Sequence, residues 1–145
     1  MKSDVGNNTF QPKNILGIAQ SHETPFYLYD KATILQSIQE INVSFSWSNA
    51  YINFFPIKEN PNPMLLRLLW DSECGILACS KGELMHASRC GFSGERLLYQ
   101  PLRKDPEGER LACDLNAAWL LTSPDHLPTC HIRTVYLRYC PSATD

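Results

Sequence analysis

The sequence predicts an α/β fold built on a parallel sheet, on three observations. Short, nearly continuous apolar runs recur along the chain, segments with helical apolar spacing separate them, and cap or proline signals mark the helix starts. Strand starts fall near residues 51, 76, 96, 118 and 134, giving five strands and four intervening helices. An open doubly wound sheet and a partial (β/α) barrel both fit that alternation. With 145 residues the chain is too short for a complete barrel, which takes about 250 residues.

The elements follow in order. Residues 1–23 are polar and weakly patterned and read as a flexible leader. Phe26-Tyr27-Leu28-Tyr29 reads as a short aromatic strand, and Asp30 caps a helix carrying Ile34, Leu35, Ile38 and Ile41. Residues 50–55 form a buried-type strand broken at Pro56. Asn62 and Pro63 then open a helix striped by Met64, Leu65, Leu68 and Leu69. Residues 75–79 are the next strand. Ser80-Lys81-Gly82-Glu83 has capping-box spacing, and its helix should stop at Gly91. Residues 96–100 form a strand, Asp105-Pro106 starts a helix, and residues 119–122 form another strand. Ser123-Pro124 signals a fourth helix before a last strand at residues 134–139.

Composition excludes several classes. Hydrophobic residues make up 43% and charged residues 19%, an ordinary globular balance, and the net charge is -2. That argues against nucleic-acid or membrane-surface binding. No apolar run reaches the roughly 20 residues of a membrane helix, and residues 1–8 carry no signal-peptide core. The six cysteines, Cys74, Cys79, Cys90, Cys113, Cys130 and Cys140, form no C-x-x-C pair and have no histidine ladder beside them. We therefore expect free thiols, no metal site and a cytoplasmic location.

Lys58 stands at the C-terminal end of a buried-type parallel strand, the end where (β/α) barrels place catalytic groups. A lysine partly desolvated there can act as a nucleophile toward a carbonyl. Thr24-Pro25-Phe26-Tyr27-Leu28-Tyr29-Asp30 resembles the T-P-x-Y-x-Y-D segment of the alanine-racemase-like pyridoxal-phosphate decarboxylases, which act on diaminopimelate, ornithine, lysine or arginine. Phe55-Pro56-Ile57-Lys58-Glu59-Asn60-Pro61-Asn62 looks like their Y-A-x-K-A-N-x-N segment, whose lysine carries the cofactor. Ser80-Lys81-Gly82-Glu83-Leu84 matches S-x-G-E-L, Arg96-Leu97-Leu98-Tyr99 is similar to the following strand, and residues 136–142 resemble L-R-x-N-P-G. The five pieces are collinear over about residues 24–142.

The resemblance implies a partial (β/α)8 TIM barrel of the alanine-racemase type with about five parallel strands, not closed within this chain, over residues 24–145. It implies pyridoxal 5'-phosphate as cofactor and α-decarboxylation of an amino-acid substrate through a Lys58 aldimine, with a homodimer for the complete enzyme. Arg138 matches a family arginine near the cofactor ring, and Ser80 a family serine that also serves as a helix cap. Two positions depart from the pattern: Leu77 stands where the family has Asp, and Pro56 where it has a small residue. Leu77 leaves a non-catalytic, partner-binding relative as the alternative expectation. The family's glycine-rich phosphate loop, pyridine-facing carboxylate and β-domain have no counterpart in these residues, so the 145-residue chain is expected to be inactive alone.

Overall fold

The computed structural model describes residues 12–139, which divide after Ser44 into two compact units. The first holds helices α1 (Pro12–Ser21) and α2 (Lys31–Ser44). Helix α1 lies inside the segment expected as a leader; residues 1–11 are outside the described residues. Asp30 starts α2 as expected, its Oδ1 accepting the N–H of Ala32 at 2.9 Å and of Thr33 at 3.3 Å. The aromatic strand expected at residues 26–29 is not formed. This stretch joins no ladder, and Tyr27 is 89% exposed. Strand propensity without a neighbouring strand leaves backbone groups to water.

The second unit alternates β1 (Phe54–Pro56), α3 (Pro63–Asp71), β2 (Gly75–Ala78), α4 (Lys81–Arg89), β3 (Leu97–Tyr99), α5 (Pro106–Asp114), β4 (Ala118–Leu121) and β5 (Val135–Leu137). All neighbours are parallel, in the order β1-β2-β3-β4-β5. The outermost strands share no ladder, so the sheet is unclosed. Yet the rings of Phe54 on β1 and Tyr136 on β5 meet edge-on with centroids 5.8 Å apart. In a flat sheet those strands would stand four spacings, roughly 19 Å, apart. The sheet is therefore curled, which decides for a partial barrel over an open sheet. Gly75 permits the curl's first step: it pairs with Phe54, and a Cβ there would overlap the Phe54 ring.

Helix starts follow the cap signals. Met64 N–H donates to Asn62 Oδ1 at 2.9 Å, Glu83 N–H to Ser80 Oγ at 3.3 Å, and Gly108 N–H to Asp105 Oδ1 at 3.0 Å. The Glu83 carboxylate reaches one residue further than a capping box requires and accepts from Cys79 N–H at 2.8 Å. The helix expected after Ser123-Pro124 is instead a single 3₁₀ turn, Pro124–His126. Pro128 lacks an N–H and disfavours helical backbone at Leu127, so the turn cannot extend.

The convex face of the sheet packs under the helices. Tyr99 and Trp119, paired across β3 and β4, are fully buried with rings 5.1 Å apart, and Leu66, Leu84, Ala87, Phe92 and Ala112 complete the core. Burial first, then the charges of Asp105 and Glu109, push the Tyr99 hydroxyl up to about 12 from 10.0. The hydroxyl has no hydrogen-bond partner among the described residues. The folded state thus holds this proton after the unfolded chain has lost it. Stability is unaffected below pH 10.0 and falls as pH rises toward about 12. In a melting series across that window the midpoint should fall faster for the native chain than for Tyr99→Phe, which should lose no stability at neutral pH. Parallel pH curves would contradict this.

Arg96 locks the sheet to α3. Its Nε and Nη2 donate to Cys74 O at 3.1 and 2.7 Å, Nη2 donates to Trp70 O at 2.6 Å, and the guanidinium lies 3.9 Å from the Trp70 ring centre. An ammonium cannot reproduce this planar fork. Arg96→Lys should cost about 2 kcal/mol in chemical denaturation; no change would show the bonds to be dispensable.

One expectation about the cysteines is overturned. Cys113 and Cys130, expected as free thiols, form a disulfide with Cα atoms 6.7 Å apart, within bridging range. The segment after the 3₁₀ turn runs back along α5, where Thr129 Oγ1 donates to Glu109 Oε2 at 3.0 Å. That return path, invisible in spacing alone, brings the two sulfurs together. Cys74, Cys79 and Cys90 are free, and Cys140 lies outside the described residues.

Candidate active site

Strand β1 ends at Pro56 and passes into the 3₁₀ turn Ile57–Glu59. Ile57 is 1% exposed, anchored in the core, so the next residue turns the other way. Lys58 accordingly carries a side chain 60% exposed, with Nζ 3.9 Å from Glu59 Oε1. An ion pair this exposed contributes at most about 1 kcal/mol and does not tie the amine down.

Register places the neighbours. Pro56, the last residue of β1, pairs with Leu77, and the turn that carries Lys58 follows at the end where β2 runs out into Cys79. Burial pushes the Cys79 thiol up, Glu83 adds to that, and the Lys58 ammonium opposes both, which puts the lysine's charge within reach of this strand end. Gln100 follows on β3. Its N–H donates to Ala78 O at 2.9 Å, carrying the ladder one residue past the strand, and the residue is 9% exposed. On β5, Arg138 N–H donates to Leu121 O at 3.0 Å, with the side chain exposed just beyond the strand.

Alternation along the strands sorts these residues by face. Tyr99 and Trp119 face the helices; Phe54 and Tyr136 face the concavity, and so by parity do Leu77, Cys79, Gln100 and Arg138. The fold thus brings Lys58, in the turn that follows β1, and Arg138, just beyond β5, to the same end of the sheet at its two edges. Ser80 is a half-buried helix cap whose oxygen is already accepting from Glu83 N–H. The two positions that depart from the family pattern, Pro56 and Leu77, turn out to be direct register partners. Together they make one apolar step beneath Lys58. Residues 140–142 of the motif that contains Arg138 are outside the described residues.

The donor set suits an aldehyde bearing anionic oxygens. A primary amine can condense with the carbonyl, a guanidinium can pair with an oxygen anion, and a hydroxyl and a carboxamide add neutral hydrogen bonds. The described glycines Gly82, Gly91, Gly94 and Gly108 are isolated and form no phosphate-cradling loop. Among the described residues no helix is long and apolar enough to cross a membrane. Gln100 was missed by sequence reasoning. Its signal was a polar residue ending the apolar run Leu97-Leu98-Tyr99 directly before Pro101.

No family model matches the chain. It is 32% identical over 101 residues to a diaminopimelate decarboxylase of Helicobacter pylori, covering 70% of this chain and 25% of the relative. It is 29% identical over 136 residues to that of Deinococcus radiodurans, covering 77% and 35%. The solved structure of diaminopimelate decarboxylase from Helicobacter pylori complexed with L-lysine superposes with a TM-score of 0.68 at 30% identity, covering 76% of this chain and 28% of that one. The chain spans between 19% and 35% of the length of the curated relatives it matches first. Homologues and structural neighbours are diaminopimelate, lysine and ornithine decarboxylases, and the chain matches an N-terminal part of them. Nothing in the comparisons supports the non-catalytic alternative.

Proposed function

We propose that this chain is the lysine-bearing, N-terminal part of the barrel of a pyridoxal-phosphate-dependent amino-acid decarboxylase, with residues 24–145 forming that part and residues 1–23 its leader. The observation that carries the reading is Lys58, an exposed amine at the C-terminal mouth of a curled parallel sheet in a chain whose relatives are decarboxylases.

When bound, pyridoxal phosphate supplies an electron sink for the pair left behind as a carboxylate departs as CO₂. Lys58 Nζ would hold the group through its aldehyde carbon. As a primary amine, Lys58 Nζ would also be able to carry a proton to or from a substrate held beside it. Arg138, permanently cationic, would pair with an anionic oxygen of the group. Ser80, its oxygen engaged by Glu83 N–H, keeps its hydroxyl hydrogen to donate to a ligand oxygen. Pro56 and Leu77, register partners, would offer the group an apolar surface. The relatives' names point to a dibasic amino acid as substrate, and the reading carries with it a homodimeric complete enzyme working in the cytoplasm.

Incubation with pyridoxal phosphate followed by borohydride reduction tests it. Peptide mapping should place the fixed label predominantly on Lys58. Label spread evenly over Lys2, Lys13, Lys31, Lys81 and Lys104 would sink the assignment.

A further inference from the structure

Strand β5, which leads directly to Arg138, is the least buried strand of the sheet. Val135 and Leu137 are exposed and Tyr136 is half-buried, whereas β3 is buried throughout. Removal of apolar area from water therefore does little to hold β5 in place. What holds it is its ladder with β4 and the segment that leads into it. That segment is fastened to the body of the fold at three points. His126 O accepts from Trp119 Nε1 at 2.9 Å, Thr129 Oγ1 donates to Glu109 Oε2 at 3.0 Å, and Cys130 is bonded to Cys113 in the last turn of α5. The first two are single hydrogen bonds, whose net contribution is modest once water competes for the same groups. The third is covalent. Both cysteines are half-buried, and Asp114, Thr129 and His131 beside them are exposed, so a small thiolate can reach the sulfurs.

We propose that the Cys113–Cys130 bond is a redox-dependent clasp on one edge of the site. Closed, it holds β5 and Arg138 on the sheet; opened by a low-molecular-weight thiol, it releases them while Lys58 stays in place. The inference rests on the cytoplasmic reading given above and names a regulation of that same site. In a reducing compartment a disulfide is seldom a permanent staple and usually reports redox state. The opening step is thiol–disulfide exchange. Two reductant thiols give up two electrons and two protons and join as their own disulfide, and Cys113 and Cys130 take these up and return as thiols. The bonded residues are 17 apart in sequence, so cutting the bond gives a loop of that size its chain freedom back. Lys58 is insulated from this. It follows β1 at the other edge, where the ladder to β2 and the buried Ile57 hold the turn without help from the disulfide.

Hydrogen exchange of the intact chain, read peptide by peptide in oxidised and in reduced glutathione, tests the clasp. In millimolar reduced glutathione, alkylation mapping should find Cys113 and Cys130 as thiols. Amides of residues 134–138 should then lose protection roughly a hundredfold, the equivalent of the chain freedom regained by a loop of this size. Peptides covering β2 and β3 should keep their protection, since local opening leaves the buried strands closed. The double variant Cys113→Ser with Cys130→Ser, which cannot close, should exchange like the reduced chain in both buffers. A bond that stays closed in reduced glutathione overturns the proposal, because it is then a permanent staple. Unchanged exchange at residues 134–138 after opening overturns it as well, and so does a loss of protection spread over the whole sheet. These readings use no pyridoxal phosphate. Absence of label on Lys58 in the native chain, a separate measurement, overturns the functional reading, and the regulatory role of the clasp with it.

Discussion

Lys58→Ala should abolish the fixed pyridoxal label and the visible band of the lysine-bound group, leaving background comparable to any exposed lysine. The reason is chemical. Only an amine can condense with the aldehyde, and Lys58 is the lysine in the turn directly after β1 that matches the family's cofactor-bearing lysine. Lys58→Arg retains the cation and loses the nucleophile, so it should fail equally, separating covalent capture from charge attraction. Neither change should disturb the fold. The side chain is 60% exposed and its one ion pair is on the surface, so stability should move by less than about 0.5 kcal/mol. Label retained on another lysine at native yield would remove Lys58 from its role; a large loss of stability would leave the fold, not the chemistry, as its function.

Trp119→Ala should be the most destabilising single change in the sheet, costing about 3–5 kcal/mol in denaturant unfolding. Trp119 is fully buried, its ring meets Tyr99 edge-on at 5.1 Å, and its Nε1 donates to His126 O at 2.9 Å. The truncation opens a cavity between sheet and helices and orphans a carbonyl in the turn that leads into β5. A domain has only about 5–15 kcal/mol of stability in total, so the variant should be partly unfolded at modest denaturant. Trp119→Phe keeps the ring contact and loses the hydrogen bond, and should cost about 1–2 kcal/mol. A loss below that from the alanine variant would show that the core can collapse around the gap.

The fold was legible where local chemistry decides it. Asp30, Asn62, Ser80 and Asp105 each cap the helix that their position announces, because an N-cap needs only residues adjacent in sequence. The same locality explains the errors. Ser123 does cap a turn, accepting from Asp125 N–H at 3.4 Å, but a cap cannot carry a helix past Pro128. Phe26 to Tyr29 have strand-like residues and no strand, since pairing is a property of two segments. Arg96 read as the first residue of a strand; its grip on Cys74 O and Trp70 O depends on carbonyls 22 and 26 residues away.

For the site, the sequence by itself determined that Lys58 follows a buried strand, that the strands run parallel and that the nearby motifs resemble a decarboxylase. Those are patterns of residue type and spacing, and they survive without knowledge of what touches what. Tertiary structure alone decided the curl of the sheet, shown by Phe54 meeting Tyr136, and the facing of Gln100 into the same concavity as Arg138. It alone joined Cys113 to Cys130. The physical reason is common to all three. Register, curvature and loop path are set by contacts between segments far apart in the chain, and a one-residue shift in register would turn every one of these side chains to the opposite face.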